Sequence, residues 1–441
     1  MRGSRLKGLL MVSNVIVGLG ETGLSYARFL AARDEAFVVL DDAVRSDRLA
    51  LLRAISPDAT VGPIVGDVIS VAKKIYVSPG VPLGLPALAD HTTHDRLFGD
   101  VQLFGQIVQA PFVAVTGTNG KSTVTQLFHD IAKKQTGRVA LGGNFGTPCL
   151  DLLSSDVDLY VLEVSSYQLE LANNLAADVA VLLNLSADHL DRYSSDQAYF
   201  KTKFAIYNNC RSAVVNRAIS CSLDPSIRVV SIGMDEADGD DEFALLGDAI
   251  TLSGEVLLKQ DELKLSGRHN LLNIQAALAI GLLFDFDMST MLEVVKDFQG
   301  LPHRSEFVAH IGGVRYVNDS KGTNPGAMIA AVSGEASERN VHLIAGGVSK
   351  SADFARLQDA IGRYIKRAYL IGDAAPLLYS ALPEIDCAIY TGLPDALKAA
   401  RNIADSGDVV LLSPGCASFD QFTDFAARGE TFRQIVERFE S

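Results

Sequence analysis

Basic character is what this sequence lacks. Its 441 residues carry 39 Lys and Arg against 53 Asp and Glu, a formal net charge of −14. Non-specific nucleic-acid binding and attachment to a membrane surface both need a basic face, so neither is expected, although a local basic pocket for an anionic ligand is still allowed. Cysteine is scarce and unpatterned: five residues, at 149, 210, 221, 387 and 416, with no C-x-x-C pair. That argues against a disulfide framework or a structural zinc site and fits a reducing compartment, the cytoplasm. Long apolar runs are missing too. The longest, LLNIQAALAIGLLF at 271–284, is too short to span a bilayer and carries Asn273 and Gln275. The head MRGSRLKGLLMVSNVIVGLG is basic and then apolar, as a signal peptide would be, yet it runs into a glycine turn with no small-residue cleavage site and reads as a first strand. No repeat of solenoid period is present.

What is there is the composition of a globular chain, 48% hydrophobic and 21% charged, long enough for two or three domains. Short β-branched runs alternate with helical patterns: NVIVGLG, FVVLDD, KIYVSPG, PFVAVTG, LYVLEVSS, VAVLLNLS, GVRYVND, VHLIAGG, AYLIGD and VVLLSPG are candidate strands. The alternation implies α/β architecture with largely parallel sheets, whose binding loops lie at strand C-termini. Breaks near residue 100 and near Gly300 and Pro302 give three α/β units, 1–100, 101–301 and 302–441. The expected architecture is a Rossmann-like first unit, a central P-loop-type unit on a parallel or mixed sheet, and a Rossmann-like third unit. Segment 217–262 reads as irregular or β-rich, with the acidic DEADGDDE at a loop tip.

Two glycine-rich turns carry chemistry. Gly18, Gly20 and Gly23 form G-x-G-x-x-G between a strand and a helix, and Asp41 and Asp42 end the next strand, where an acid meets a ribose. NAD and a UDP-sugar share the pyrophosphate that such a turn holds, and the motif does not choose between them. Glu21 within the turn opposes a pyrophosphate unless it points away. TGTNGKST (116–123) lies between an apolar strand and an amphipathic helix, but it lacks the first glycine of the usual P-loop, Val115 standing there. Its backbone amides and helix dipole suit phosphate oxygens, Lys121 supplies positive charge, and Ser122 can reach Mg²⁺. Glu163 and His189 follow strands and fall at the same sheet edge; Lys201 and Lys203 come next. In the third unit, Lys321 and Lys350 are cations on strand-following loops, with Thr323 and Ser418 as neutral donors, an arrangement suited to an anionic ligand.

TGTNGKST, LEVSSYQLE, NLSADHLDRY, GRHNLLNIQAAL, GLPHRSEFV and NDSKGTNP, in this order, resemble the Mur ligases of peptidoglycan synthesis, and the resemblance covers nearly the whole chain. That family uses the shortened loop G-[ST]-N-G-K-[ST], which accounts for Val115. The resemblance implies an ATP-dependent ligase that makes an acyl phosphate and passes it to an amino acid's amine. Gly117, Thr118, Asn119, Gly120, Lys121, Ser122 and Thr123 would hold ATP, with Asn270 and Asn273 at the adenine and Arg304 and Asp319 at phosphates and ribose. Ser122 and Glu163 would hold one Mg²⁺, His189 would lie near a second, and Lys203 would be the lysine that becomes a carbamate and a metal ligand. His303 would support the reacting phosphate, so that Lys121, His189, Lys203 and His303 form the catalytic set. Lys201 is a solvated neighbour.

LLSP-x-C-A-S-x-D-x-F is similar to the branch that adds D-glutamate to UDP-N-acetylmuramoyl-L-alanine, with Thr323, Lys350, Ser418 and Phe425 at the amino acid. The D-N-P-R signature of the diaminopimelate- or lysine-adding branch is absent. GGVSK departs from the branch's more usual G-G-x-G-K, with Val348 and Ser349 where an Asp and a Gly are commoner. Thr22 and Gly23 would meet the pyrophosphate, Asp41 the ribose or uracil side, Ser78 and Gly80 the uridine, and Asn144, Ser165 and Gln168 the muramoyl group. A monomer is expected. Three competitors stand beside this reading: a sister ligase for another amino acid or for folate polyglutamate, an NAD-dependent dehydrogenase fused to a nucleotide-binding module, and a nucleotide-binding partner protein without catalysis.

Overall fold

The computed structural model describes residues 13–89, 95–189, 192–265, 267–349 and 354–439. Three sheets follow one another along the chain. The first holds β1 (Asn14–Val17), β2 (Phe37–Leu40), β3 (Thr60–Gly62), β4 (Lys74–Val77) and β5 (Leu97–Phe98) in the order β3-β2-β1-β4-β5, all parallel. Strand order reverses between β1 and β4, so the glycine turn after β1 and the loop after β4 flank the crevice where such sheets take ligands.

The central sheet has nine strands: β6 (Phe112–Thr116), β7 (Val139–Gly143), β8 (Leu159–Glu163), β9 (Val179–Leu182), β10 (Ser212–Asn216), β11 (Arg228–Ile232), β12 (Glu242–Leu246), β13 (Ala249–Leu252) and β14 (Glu255–Lys259). They lie in the order β14-β13-β12-β11-β10-β9-β6-β8-β7. The sheet is parallel from β7 to β12, and β13 and β14 add an antiparallel edge. Segment 217–262 is therefore β-rich, with four strands joined by turns and irregular stretches. Side chains alternate between faces along a strand, and the sequence uses both. Phe112, Ala114, Tyr160, Leu162, Ala180 and Leu182 face a core continuous with that of the first sheet. Val113, Val115, Val161, Val179 and Val181 face the helices Lys121–Gln135 and Arg268–Leu283. The second helix is apolar nearly all round and almost wholly buried, as such a helix must be. No described helix is long and apolar enough to cross a membrane.

The last sheet orders β15 (Glu306–Ile311), β16 (Val314–Asn318), β17 (Val341–Gly346), β18 (Ile365–Ile371), β19 (Cys387–Ile389) and β20 (Val409–Leu412) as β15-β16-β20-β17-β18-β19, parallel except for the β15–β16 hairpin. Since β16, β17 and β20 are adjacent and parallel, the loops after them share one edge.

Candidate functional site

The phosphate loop joins β6 to the helix Lys121–Gln135. Gly120 caps that helix at φ 83°, and a Cβ there would collide with Asn273 Oδ1, so glycine is required on two counts. A second strand-following loop clamps the first. Thr118 N donates to the Asn184 carbonyl (3.0 Å), Asn119 N to Asn184 Oδ1 (2.9 Å), and Ser186 N to Thr118 Oγ1 (3.1 Å). Lys121 Nζ donates to the carbonyls of Gly117 and Thr118, both at 2.9 Å.

Register brings Val115 of β6 level with Glu163 of β8. The Ser122 hydroxyl accordingly hydrogen-bonds to Glu163 Oε2, Asn144 Nδ2 donates to Glu163 Oε1 (2.7 Å), and Arg304 NH2 from the last unit donates to Ser122 Oγ (2.6 Å). Burial pushes the Glu163 carboxyl up, but Lys121, Ser122, Arg304 and Asn144 outweigh it and hold it below the usual carboxylate range. Burial lowers the pKa of Lys121 and of Arg304. Lys201 is exposed and Lys203, two residues on, is 1% exposed. Lys203 Nζ donates to the Gly117 carbonyl at 2.9 Å, and burial followed by the Lys121 charge drives its pKa well below the ordinary lysine value. A buried amine pushed toward neutrality is a nucleophile.

These residues fit Mg²⁺. The hydroxyl of Ser122 and the carboxylate of Glu163 are adjacent hard oxygen donors, and no group of three or more His, Cys, Asp or Glu among the described residues forms a protein-only cage. Mg²⁺ suits such a sparse set, because it keeps waters and phosphate oxygens as ligands. His189 places Nδ1 2.8 Å from the Tyr167 hydroxyl.

Seven of the residues expected at ATP line one cavity of about 70 Å³ between the central and last units: Asn119, Gly120, Thr123, Asn270, Asn273, Arg304 and Asp319. Asn273 Nδ2 donates to Asn270 Oδ1 (2.8 Å), one helical turn away on a buried face. Asp319 accepts from Ser413 Oγ (2.7 Å) and Ser305 N (3.2 Å), and burial raises its carboxyl to about 7 against those bonds and Arg304. His303, at φ 64°, lies against the last helix, its Nδ1 2.9 Å from Asn318 Nδ2, and burial lowers its pKa.

Three models of one family match consecutive stretches: the Mur ligase MurD-like N-terminal domain at residues 12–96, the Mur ligase middle domain at 115–281, and the Mur ligase glutamate ligase domain at 303–416. The chain is 42% identical over 438 residues to the UDP-N-acetylmuramoylalanine–D-glutamate ligase of Marinobacter nauticus, covering 96% of this chain and 97% of that one. Identity is again 42%, over 98% of both chains, to the enzyme of the same name from Nitrosococcus oceani. The chain belongs to the Mur ligase family. Its fold is shared with the MurF ligase of Thermotoga maritima solved with ADP, at TM-score 0.60 and 17% identity over 98% of this chain and 99% of that one.

Elsewhere in this Mur ligase, several residues expected at the UDP substrate are committed to the protein itself. Asp41 accepts from Leu19 N and Ala43 N, both at 2.7 Å, and so braces the glycine turn. Ser78 Oγ donates to the Gly18 carbonyl (2.9 Å), tying the two crevice loops together. Gly23 packs on that same carbonyl, which a Cβ would strike. Ser165 and Gln168 form a capping box, and the buried Gln168 also donates to Asp100 Oδ2 (2.8 Å). Thr22, on the first turn of its helix, is half-buried, and Gly80 and Asn144 are exposed. Glu21 turns away to pair with Arg48 at 2.5 Å, which removes the objection to a pyrophosphate. Asp42 Oδ1 accepts from Ile64 N (2.9 Å).

On the third unit, Thr323 is half-buried, Ser418 is buried, and the Phe425 ring lies 4.0 Å beneath the Lys321 ammonium. Val348 bridges to Ala417, which ties the GGVS turn to the loop after β20. Lys350 lies outside the described residues.

Two structural partners escaped the sequence. Asn324 caps the helix Pro325–Glu335 through Oδ1, while its Nδ2 reaches Asp188 Oδ2 (2.9 Å) and Asn119 Oδ1 (3.3 Å) of the central unit. The N-P step in NDSKGTNP announced the cap, not the cross-unit reach. Arg428 is 1% exposed and binds the carbonyls of Gly346, Ser320 and Cys416 and the Ser320 hydroxyl, locking three loops together; burial lowers it to about 10. In sequence it looks like any helical arginine.

Proposed function

We propose that this Mur ligase joins D-glutamate to UDP-N-acetylmuramoyl-L-alanine at the expense of ATP, in the cytoplasm and as a monomer, for peptidoglycan precursor synthesis. Residues 1–100 take the UDP substrate, 101–301 ATP and 302–441 the amino acid. The observation that carries the reading is the meeting of Ser122, Glu163 and Arg304 from two units at one phosphate loop, backed by the 42% identity to D-glutamate-adding relatives.

An amide does not form from carboxylate and ammonium in water without activation. The substrate carboxylate attacks the γ-phosphorus of ATP, giving an acyl phosphate and ADP. The D-glutamate amine then attacks the acyl carbon, loses a proton, and expels inorganic phosphate. Lys121 and Arg304 neutralise charge on the transferring phosphoryl group, and the loop amides of 117–123 hold its neighbours. Ser122 and Glu163 would hold one Mg²⁺ and His189 would lie near a second, and the ions would supply further neutralisation of phosphate charge. Lys203, kept amine-like by burial, adds to CO₂ to give a carbamate and a proton, and so becomes an anionic oxygen donor. Asn270, Asn273 and Asp319 hold the nucleoside, and His303 the reacting phosphate. Thr323, Lys350, Ser418 and Phe425 receive D-glutamate. Thr22, Gly23, Asp41, Ser78 and Gly80 receive the UDP moiety, and Asn144, Ser165 and Gln168 the sugar.

The test is phosphate release from ATP with UDP-N-acetylmuramoyl-L-alanine and each of D-Glu, L-Glu, L-Ala, L-Lys and meso-diaminopimelate. Release with D-Glu alone is expected. Release with only a different amino acid overturns the reading.

A further inference from the structure

His189 is held in a state its sequence does not favour. Its φ of 57° lies in the left-handed region, which crowds a residue that carries a Cβ. The backbone is clamped there: His189 N donates to Asp188 Oδ1 (2.8 Å), and its carbonyl accepts from Arg192 N (2.9 Å) and Tyr193 N (3.1 Å). The ring is gripped separately. Nδ1 lies 2.8 Å from the Tyr167 hydroxyl, with the two ring centroids 4.9 Å apart.

Tyr167 is itself fixed. The Arg192 guanidinium sits 4.6 Å from its ring centroid and forms a two-point bridge to Glu170, at 3.0 and 2.5 Å. The same guanidinium donates to the Val81 carbonyl at 3.1 Å, in the loop after β4. Val81 in turn abuts Gly18, where a Cβ would come within 2.7 Å of its Cγ2. A contiguous path thus runs from the glycine turn of the first unit through Val81, Arg192 and Tyr167 to His189.

We propose that Tyr167 is a positioning residue: its hydroxyl, on a ring packed under Arg192, accepts a hydrogen bond from Nδ1–H of His189 and so keeps the lone pair on Nε2, the form that binds a divalent cation. A metal-binding histidine commonly donates its other ring N–H to a fixed acceptor, which sets both tautomer and ring direction. Here the acceptor is a phenol whose own seat depends on the first unit, so the cation site is braced from the UDP-substrate side. This rests on the reading that His189 serves the metal–nucleotide site.

Two measurements test it. In the ¹⁵N spectrum of histidine-labelled wild-type protein, His189 Nδ1 is expected to resonate as the protonated nitrogen and Nε2 as the unprotonated one; the reverse overturns the proposal without any variant. Mn²⁺ binding in the presence of ADP, read by electron paramagnetic resonance, is compared among wild type, Tyr167→Phe and Tyr167→Leu. Tyr167→Phe keeps the ring under Arg192 and loses only the hydroxyl. It is expected to bind Mn²⁺ about tenfold more weakly, with kcat about tenfold lower and KM for the UDP substrate within about twofold. A packing role alone predicts a silent Phe variant and a damaged Leu variant, and that outcome overturns the proposal. If wild type with ADP binds no Mn²⁺, the metal-site reading falls and this inference falls with it.

Discussion

Asp319 combines a functional assignment with a measurable cost to the fold. Burial lifts its carboxyl from 3.8 to about 7, although Ser413, Ser305 and Arg304 all favour the charged form. Below pH 3.8 the folded and unfolded chains both hold this proton. Between 3.8 and about 7 the unfolded chain releases it while the folded chain keeps it, so stability falls as pH rises through that window. The whole difference corresponds to roughly 4 kcal/mol, of which roughly 3 kcal/mol falls between pH 5 and 8.

Asparagine is the uncharged isostere. In Asp319→Asn, Oδ1 still accepts from Ser305 N, and Nδ2 donates to Ser413 Oγ, reversing the bond in which that hydroxyl donates to Asp319 Oδ2. The variant is expected to gain roughly 1.5 kcal/mol at pH 5 and roughly 4 kcal/mol at pH 8 relative to the parent. Binding of ADP should weaken at both pH values, a trade of function for stability. Urea unfolding followed by circular dichroism at half-unit steps from pH 5 to 8 gives the difference curve. A stability difference independent of pH refutes the argument, because it would mean that Asp319 keeps an ordinary carboxyl in the folded chain.

Two further outcomes follow from the phosphate loop. Lys203→Ala is expected to lose at least about tenfold in kcat and to recover part of it with added formate or acetate, which supply the missing oxygen donor; full turnover without additive refutes the role. Gly120→Ala forces a Cβ into a φ of 83° and against Asn273, which must abandon Asn270. The strain and the lost bond together cost about 2–3 kcal/mol, read as a lower urea midpoint and weaker ADP binding; unchanged values for both refute the packing argument.

The sequence disclosed what depends on period and punctuation. Each of the ten β-branched runs contains a strand, because alternation into two cores leaves a repeated apolar mark and the Gly, Asp or Asn after it marks the loop. β3, β5, β7, β10, β15 and β19 were not singled out. β3 and β5 are two- or three-residue pieces, and β7 ends in two glycines, so neither length nor side-chain branching betrays them. Lys203 and Lys201 were separated by resemblance, and burial gives the physical distinction: one is 1% exposed while the other is in solvent. No local pattern carries that, since both are polar marks on one short helix.

Harder to read were residues whose partners lie far along the chain. Asp41 looked like a ribose ligand because acids ending a second strand serve that purpose, but both its oxygens are held by backbone amides at 2.7 Å. An Asp at that position braces a turn and faces a nucleotide by the same chemistry, acceptance from an N–H or O–H, so the motif predicts an acceptor and leaves its donor open. Tyr167, Arg192 and Asn324 make the converse case. Each stands inside a recognised motif, yet Arg192 reaches Val81 in the first unit, Asn324 reaches Asn119 from the last unit, and Tyr167 meets a histidine 22 residues away. A linear pattern records which chemistry stands at a sheet edge. Pairings between edges arise only when the three sheets meet, and at this site those pairings help decide how the phosphate loop and the histidine are held.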